Sequence, residues 1–197
     1  MKIKRLTGGE LEGNGYIIYH KEGGACCIID PGSNPEKFLK VAKENKFHIE
    51  GILLTHHHYD HVGGVRKIRD AKECPVYMHF GDVDMYRAEV DVVLSGGEEI
   101  MLDGEAIKVL HTPGHTEGSV CYFSEKSKLV FTGDTIFNVD LGRTDLKDGD
   151  PKKMEESIKN VINLWANEIM IYPGHGDPCT MKFVRRINRE FLDIAGA

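Results

Sequence analysis

The feature that most constrains this chain is Thr55-His56-His57-His58-Tyr59-Asp60-His61, entered from the apolar run Gly51-Ile52-Leu53-Leu54 and left through Val62-Gly63-Gly64. Four imidazoles and a carboxylate so close together are costly to leave unpaired, and they are the side chains that bind zinc, iron or manganese. Ile52 to Thr55 reads as a buried strand and Gly63-Gly64 as the close-packed start of a helix. The histidines are therefore predicted on a loop at a strand's end, where open α/β sheets hold ligands. On such a loop His56 and His58 can face one point while Asp60 and His61 face a neighbouring one, which makes two adjacent metal positions.

Around this loop the chain alternates strands and helices. Strands are predicted over Lys2 to Leu6, Tyr16 to His20 and Ala25 to Asp30, with an antiparallel start across the turn at Lys21 to Gly24. Ser33 and Glu36 stand at capping-box spacing before a helix with Phe38, Val41 and Ala42 on one face. A second helix is expected from Val62 to Ala71, then a buried strand from Pro75 to His79, where His79 is a possible site residue. From Glu98 to Asp134 the pattern turns to β, with runs at Glu98 to Leu102, Ile107 to His111, Ser119 to Phe123 and Leu129 to Thr132. Asp150-Pro151 caps a helix whose Met154, Ile158, Val161, Ile162 and Trp165 form an apolar stripe. Glu168 to Tyr172 is the last strand, and one final helix carries Met181, Val184, Ile187, Phe191 and Ile194. Two β-rich halves with flanking helices predict an α/β fold, a four-layer αββα sandwich with the histidine loop at one edge.

With 197 residues, 41% hydrophobic and 28% charged, the chain suits one globular domain over residues 1–197. A net charge of -6 and the lack of a basic run interleaved with aromatics argue against a nucleic-acid partner. Lys182, Arg185, Arg186 and Arg189 stand at helical spacing and read as a solvated face. Neither a signal-peptide core nor a run of ~18 apolar residues is present, so a cytoplasmic protein without a membrane partner is expected. The five cysteines, Cys26, Cys27, Cys74, Cys121 and Cys179, form no Cys-x-x-Cys pair and read as reduced thiols outside the metal site.

Three further strand ends carry ligand candidates next to glycine, which lets backbone approach a crowded site: His115 after Pro113-Gly114, Asp134 after Gly133, and His175 between Gly174 and Gly176. Added to the loop, these make five histidines and two aspartates. They suit two ions ~3.5 to 4 Å apart. His56, His58 and His115 would face one, Asp60, His61 and His175 the other, and Asp134 would bridge them.

These residues resemble the metallo-β-lactamase-fold hydrolases. His56-x-His58-x-Asp60-His61, His115, Asp134 and His175 match that family's ligand positions one for one, and Asp30 matches an aspartate that orients a ligand from behind. The match runs from Asp30 to His175. Thr132-Gly133-Asp134-Thr135-Ile136-Phe137, Leu141-Gly142-Arg143-Thr144-Asp145-Leu146 and Pro113-Gly114-His115-Thr116 are similar to the glyoxalase II (hydroxyacylglutathione hydrolase) branch. The chain is similar to that branch's short form, which lacks the C-terminal helical extension supplying much of the glutathione grip.

The resemblance implies a thioesterase acting on a small-molecule thioester, with Asp60 and Asp134 as catalytic carboxylates. Two divalent ions, zinc first, with iron or manganese as options, would lower the pKa of a bridging water far below ~15.7 and supply hydroxide. Arg143 would hold a substrate carboxylate or pair with Asp145, the pairing being the favoured reading. A carboxylate at Asp134 counts against β-lactam hydrolysis, and His58 against the flavodiiron branch. The alternatives are a persulfide dioxygenase holding one iron through His56, His115 and Asp134, and a hydrolase of another ester or a lactone.

Overall fold

The computed structural model describes residues 1–196. In chain order it contains β1 (Lys2–Gly8), β2 (Gly13–Tyr19), β3 (Ala25–Ile29), α1 (Pro35–Glu44), β4 (His48–Leu53), α2 (Tyr59–Val62), α3 (Val65–Lys72), β5 (Val76–His79), α4 (Phe80–Tyr86) and β6 (Val92–Leu94). The second half runs β7 (Glu99–Leu102), β8 (Glu105–His111), β9 (Val120–Ser124), β10 (Leu129–Gly133), α5 (Pro151–Asn160), β11 (Met170–Pro173), β12 (Cys179–Thr180), α6 (Met181–Ile187) and α7 (Arg189–Ala195). The strands form two six-stranded sheets, β1-β2-β3-β4-β5-β6 and β12-β11-β10-β9-β8-β7. The first begins antiparallel and becomes parallel from β3 onward; in the second, β10 and β11 are the parallel pair.

Strand alternation builds the layers, because successive side chains leave a strand on opposite faces. Ile17, Tyr19, Cys26 and Ile28 turn outward onto Phe38 and Ala42 of α1 and Val65 and Ile68 of α3. Their neighbours Tyr16, Ile18, Cys27 and Ile29 turn inward and meet Val120, Tyr122, Leu129 and Phe131 of the other sheet. Cys121, Val130 and Ile171 face the opposite way, onto Met154 and Ile158 of α5, Met181 and Val184 of α6, and Phe191 of α7. Three apolar seams separate four layers, as the αββα expectation requires. Each fully buried Ile or Leu in them contributes roughly 1.5 to 3 kcal/mol. The loops at the sheet ends therefore spring from a rigid platform.

Several local expectations give way. The capping box at Ser33 and Glu36 does not form: Asn34, in a left-handed conformation (φ 54°), is the cap residue, Pro35 opens the helix, and Glu36 pairs with Lys67. The helix expected over Val62 to Ala71 divides into α2 and α3 at Gly63-Gly64. There the chain crosses so close to Pro31 that a Cβ on Gly64 would lie 2.1 Å from its carbonyl oxygen. The stripe from Met154 to Trp165 leaves the α-helix after Asn160 and finishes in a 3-10 turn, Ile162–Leu164, with Trp165 still packed on the third seam. The single final helix is two, broken at Asn188, whose side chain accepts from Phe191 N and so caps α7. No helix among the described residues is long and apolar enough to cross a membrane.

Candidate metal centre

Asp30 follows β3, the histidine loop follows β4, and His115, Asp134 and His175 follow β8, β10 and β11. β8 and β10 are each antiparallel to β9 and β10 is parallel to β11, so all three deliver their carboxyl ends to one edge of the second sheet. The parallel β3 and β4 do the same for the first sheet. All seven expected donors meet where these two edges face each other.

His56, His58 and His115 form one group of donor atoms, and Asp60, His61 and His175 another. In the first, His58 Nδ1 stands 2.9 Å from His115 Nε2. In the second, His175 Nε2 lies 3.2 Å from Asp60 Oδ2, and His61 Nε2 lies 3.5 Å from Asp60 Oδ2 and 3.4 Å from His175 Nε2. Ligands ~2.0 to 2.1 Å from a tetrahedral ion stand about 3.4 Å from one another, which the 3.2 to 3.5 Å separations of the second group match. Asp134 touches both groups: its Oδ1 is 3.3 Å from His61 Nε2, and its Oδ2 is 3.4 Å from His175 Nε2 and 3.5 Å from His115 Nε2.

The outer ring nitrogens explain why the inner ones converge. Carbonyl oxygens accept from His115 Nδ1 (Arg143, 2.8 Å) and His175 Nδ1 (Leu11, 2.9 Å), which fixes a proton on the outer nitrogen of each ring and turns Nε2 inward. Asp30 does the same for two more. Its Oδ1 accepts from Thr55 N at 2.8 Å and its Oδ2 from Thr55 Oγ1 at 2.5 Å, while Thr55 Oγ1 in turn lies 3.0 Å from His56 Nδ1; Asp30 Oδ2 is also 3.1 Å from His61 Nδ1. His56 Nε2 is thus aimed inward, buried, and without a hydrogen-bond partner. A Cβ on Gly174 would stand 2.1 Å from Asp134 Oδ1 and 2.7 Å from His61 Cε1, so only glycine lets the His175 loop pass the site. An orphaned buried imidazole, converging lone pairs and two carboxylates are the chemistry of a divalent-cation site, and the residues fit one.

Charge differs between the groups. Burial, together with the other histidines, holds His56 well below the usual imidazole range and takes His58 down to about 4. Hydrogen bonds to Asp134 and Asp60 carry His175 up to about 10. Burial works against the charged form of His61 and Asp134, but each more than compensates the other, so His61 lies well above its usual range and Asp134 well below.

Other residues of the prediction fall elsewhere. His57 turns out of the centre and lies between two carboxylates, its Nδ1 3.1 Å from Asp82 Oδ2 and its Nε2 3.3 Å from Asp148 Oδ2. Arg143 is exposed and gives Nε and Nη2 to the Asp145 carboxylate at 2.7 and 2.8 Å, the structural pairing. His79 stays out of the centre: its Nδ1 accepts from Gly81 N and its ring stacks on His111 at 3.9 Å. Cys179 packs against the third seam, and burial lifts its thiol to about 11.

Asp82 carries a positioning role that the sequence did not reveal. Buried at the start of α4, it accepts from His57 N (2.9 Å), Thr116 Oγ1 (2.9 Å) and Gly118 N (2.6 Å), tying the histidine loop to the loop that bears His115. Asn14 and Tyr16 do likewise for His175: Asn14 N donates to Gly174 O at 2.7 Å and Tyr16 Oη to Pro173 O at 2.6 Å.

A family model described as the metallo-beta-lactamase superfamily matches residues 8–175. The chain belongs to that superfamily. Within this metallo-beta-lactamase superfamily it is 29% identical to a protein of Bacillus subtilis (strain 168) described as the probable metallo-hydrolase YqgX, over 89% of this chain and 90% of the relative. The solved structure of the BLEG-1 B3 metallo-beta-lactamase is 29% identical, with a TM-score of 0.91 over 96% of this chain and 99% of that one. A structure of TTHA1623 in a di-iron-bound form is 34% identical, with a TM-score of 0.84 over 94% and 98%. The clustered histidines and aspartates suit divalent-metal binding on a fold of this superfamily.

Proposed function

We propose that this protein hydrolyses carboxylic thioesters at a dinuclear centre, as the glyoxalase II branch does. The observation that carries this reading is Asp134, whose one carboxylate reaches donors of both groups. His56, His58 and His115 would hold one divalent cation, Asp60, His61 and His175 the other, and Asp134 both. Zinc is the proposed metal. Iron is the other candidate, given the di-iron-bound relative. When bound, the pair supplies an electrophile for the carbonyl oxygen and lowers the pKa of water.

The chain's own residues orient and neutralise. Asp30, through Thr55 and directly, keeps the Nδ1 protons of His56 and His61 turned outward, so that both Nε2 atoms face the cleft. The Arg143 and Leu11 carbonyls do the same for His115 and His175. Asp60 and Asp134 bring two negative charges, which offset half the positive charge of two divalent cations. In the net reaction water adds to the carbonyl carbon, the C–S bond breaks, and carboxylate, thiol and a proton leave. Five free thiols suit a reducing compartment such as the cytoplasm.

The test is elemental analysis beside a substrate panel. Nearly two ions per chain with cleavage of S-lactoylglutathione or a simpler thioester supports the reading. One iron per chain with oxygen uptake on glutathione persulfide replaces it with the dioxygenase, which needs only His56, His115 and Asp134. The panel includes a chromogenic β-lactam, since a chain of 29% identity is described as a B3 metallo-beta-lactamase; cleavage of that substrate alone reassigns the activity.

A further inference from the structure

Four large apolar side chains that the fold leaves exposed converge on the cleft of the donor groups: Leu11 (66% accessible), Tyr59 (82%), Val139 (50%) and Leu146 (39%). They come from three segments far apart in sequence: the β1–β2 turn, the first residue of α2, and the connection between β10 and α5. Half-buried Phe137 and Leu141 line the same cavity, which is about 720 Å³ in volume. Exposed apolar surface gathered from separate loops does nothing for folding, and contiguous patches of this kind mark binding sites.

The charges on this rim are equally informative. Among the described residues lining the cleft, Arg143 is the only lysine or arginine, and its Nε and Nη2 donate to the Asp145 carboxylate. Asp140 adds a carboxylate on the same side. A thiol carrier bearing carboxylates would find no unpaired lysine or arginine among the described residues of this rim and would compete with Asp145 for Arg143.

We infer that the substrate is a thioester with an uncharged, apolar acyl chain of several carbons, laid against Leu11, Tyr59, Val139 and Leu146, on a carrier without carboxylates. This deepens the thioesterase reading and rests on it. The chain needs no polar partner along its length; removing each added methylene from water favours binding about fourfold until the cavity is filled.

The metal-loaded protein is assayed on N-acetylcysteamine thioesters from acetyl to octanoyl and on S-lactoylglutathione. kcat/KM is expected to climb at least tenfold along the acyl series and to exceed that for S-lactoylglutathione at least tenfold. In Leu146→Asp and Val139→Asp, both surface changes, the climb is expected to flatten. A preference for S-lactoylglutathione, or no dependence on chain length, overturns the inference and leaves the thioesterase reading standing. Calorimetry with uncleavable octyl thioethers gives a second readout. The N-acetylcysteamine thioether is expected to bind at least tenfold tighter than the glutathione one, and equal or reversed affinities overturn the inference. If no thioester is cleaved while the neutral thioether binds tighter, the reaction assignment fails alone and the apolar specificity of the cleft stands.

Discussion

The two donor groups at the sheet edges lie a few ångströms apart yet are built on opposite electrostatic plans. In the group of His56, His58 and His115, burial and mutual repulsion keep His56 and His58 unprotonated near neutrality, so that group offers lone pairs. In the group of Asp60, His61 and His175, imidazoles face carboxylates and hold their protons, His175 up to about 10. A cation entering the first group meets two imidazoles, His56 and His58, that are already unprotonated, whereas one entering the second must displace protons. Asp134 makes the two plans one centre, because its carboxylate lends negative charge to the imidazole group while pairing with His61 and His175.

Removing that shared residue should erase the comparison. Asp134→Ala is expected to leave fewer than one tightly held ion per chain and to lower kcat/KM by on the order of 10³-fold, as loss of a major electrostatic stabiliser does. Retention of two ions by this variant, measured by elemental analysis after dialysis, would falsify the bridging assignment. His58→Ala strikes the imidazole group alone. Near one ion per chain should remain in the Asp60 group, with hydrolysis down about 10²-fold. Substantial oxygenase activity in the same variant would move the protein to the single-iron reading.

Asp30→Asn acts on one member of each group at once, His56 through Thr55 and His61 directly. Both affinities should fall together, by ~10 to 100-fold, since Asp30 supports ligands without being one. Chelator competition that finds only one of the two weakened would show that Asp30 serves a single ion. Asp82 acts further out, on the loops. Asp82→Asn weakens an acceptor of three donors, two of them buried, and should cost about 2 kcal/mol in denaturant unfolding. The pH dependence follows from the shift. Burial raises the Asp82 carboxyl, but His57, Thr116 and Gly118 outweigh it and leave the pKa below its usual value. A lowered folded-state pKa gives a contribution that is complete above the unfolded value of ~3.9 and lost as pH falls through the folded one. The gap between wild type and Asp82→Asn should therefore close as pH falls into the acid range; a gap that widens in acid would contradict this.

Much of this arrangement was legible in the sequence because it is written in side-chain identity. The seven donors stand out as histidine or aspartate beside glycine at strand ends, and the layers follow from strands such as Tyr16 to Tyr19, whose alternate residues are apolar on both faces. Position of the chain in space was less legible. α4 and β6 escaped because Phe80 to Tyr86 has no apolar stripe and Val92–Leu94 is three residues long, and with them went Asp82. The break at Asn188 is invisible to periodicity, since the apolar spacing from Met181 to Ile194 runs straight through it. The acceptors that fix His115 and His175 are the carbonyls of Arg143 and Leu11, and a backbone carbonyl leaves no mark in a sequence.

Arg143 turns that last point into an experiment, the smallest in effect and the finest in resolution. Its carbonyl orients His115 and so belongs to the imidazole group; its side chain is exposed, paired only with Asp145, and contributes as a surface ion pair does. Arg143→Ala keeps the carbonyl and discards the guanidinium. The ion count and the melting temperature should be unchanged, and kcat/KM on a neutral acyl thioester should move by less than about twofold. A tenfold rise in KM confined to anionic substrates, with kcat unaltered, would instead mean that the guanidinium leaves Asp145 to hold a carboxylate, and both the structural reading of Arg143 and the apolar assignment of the cleft would have to be given up.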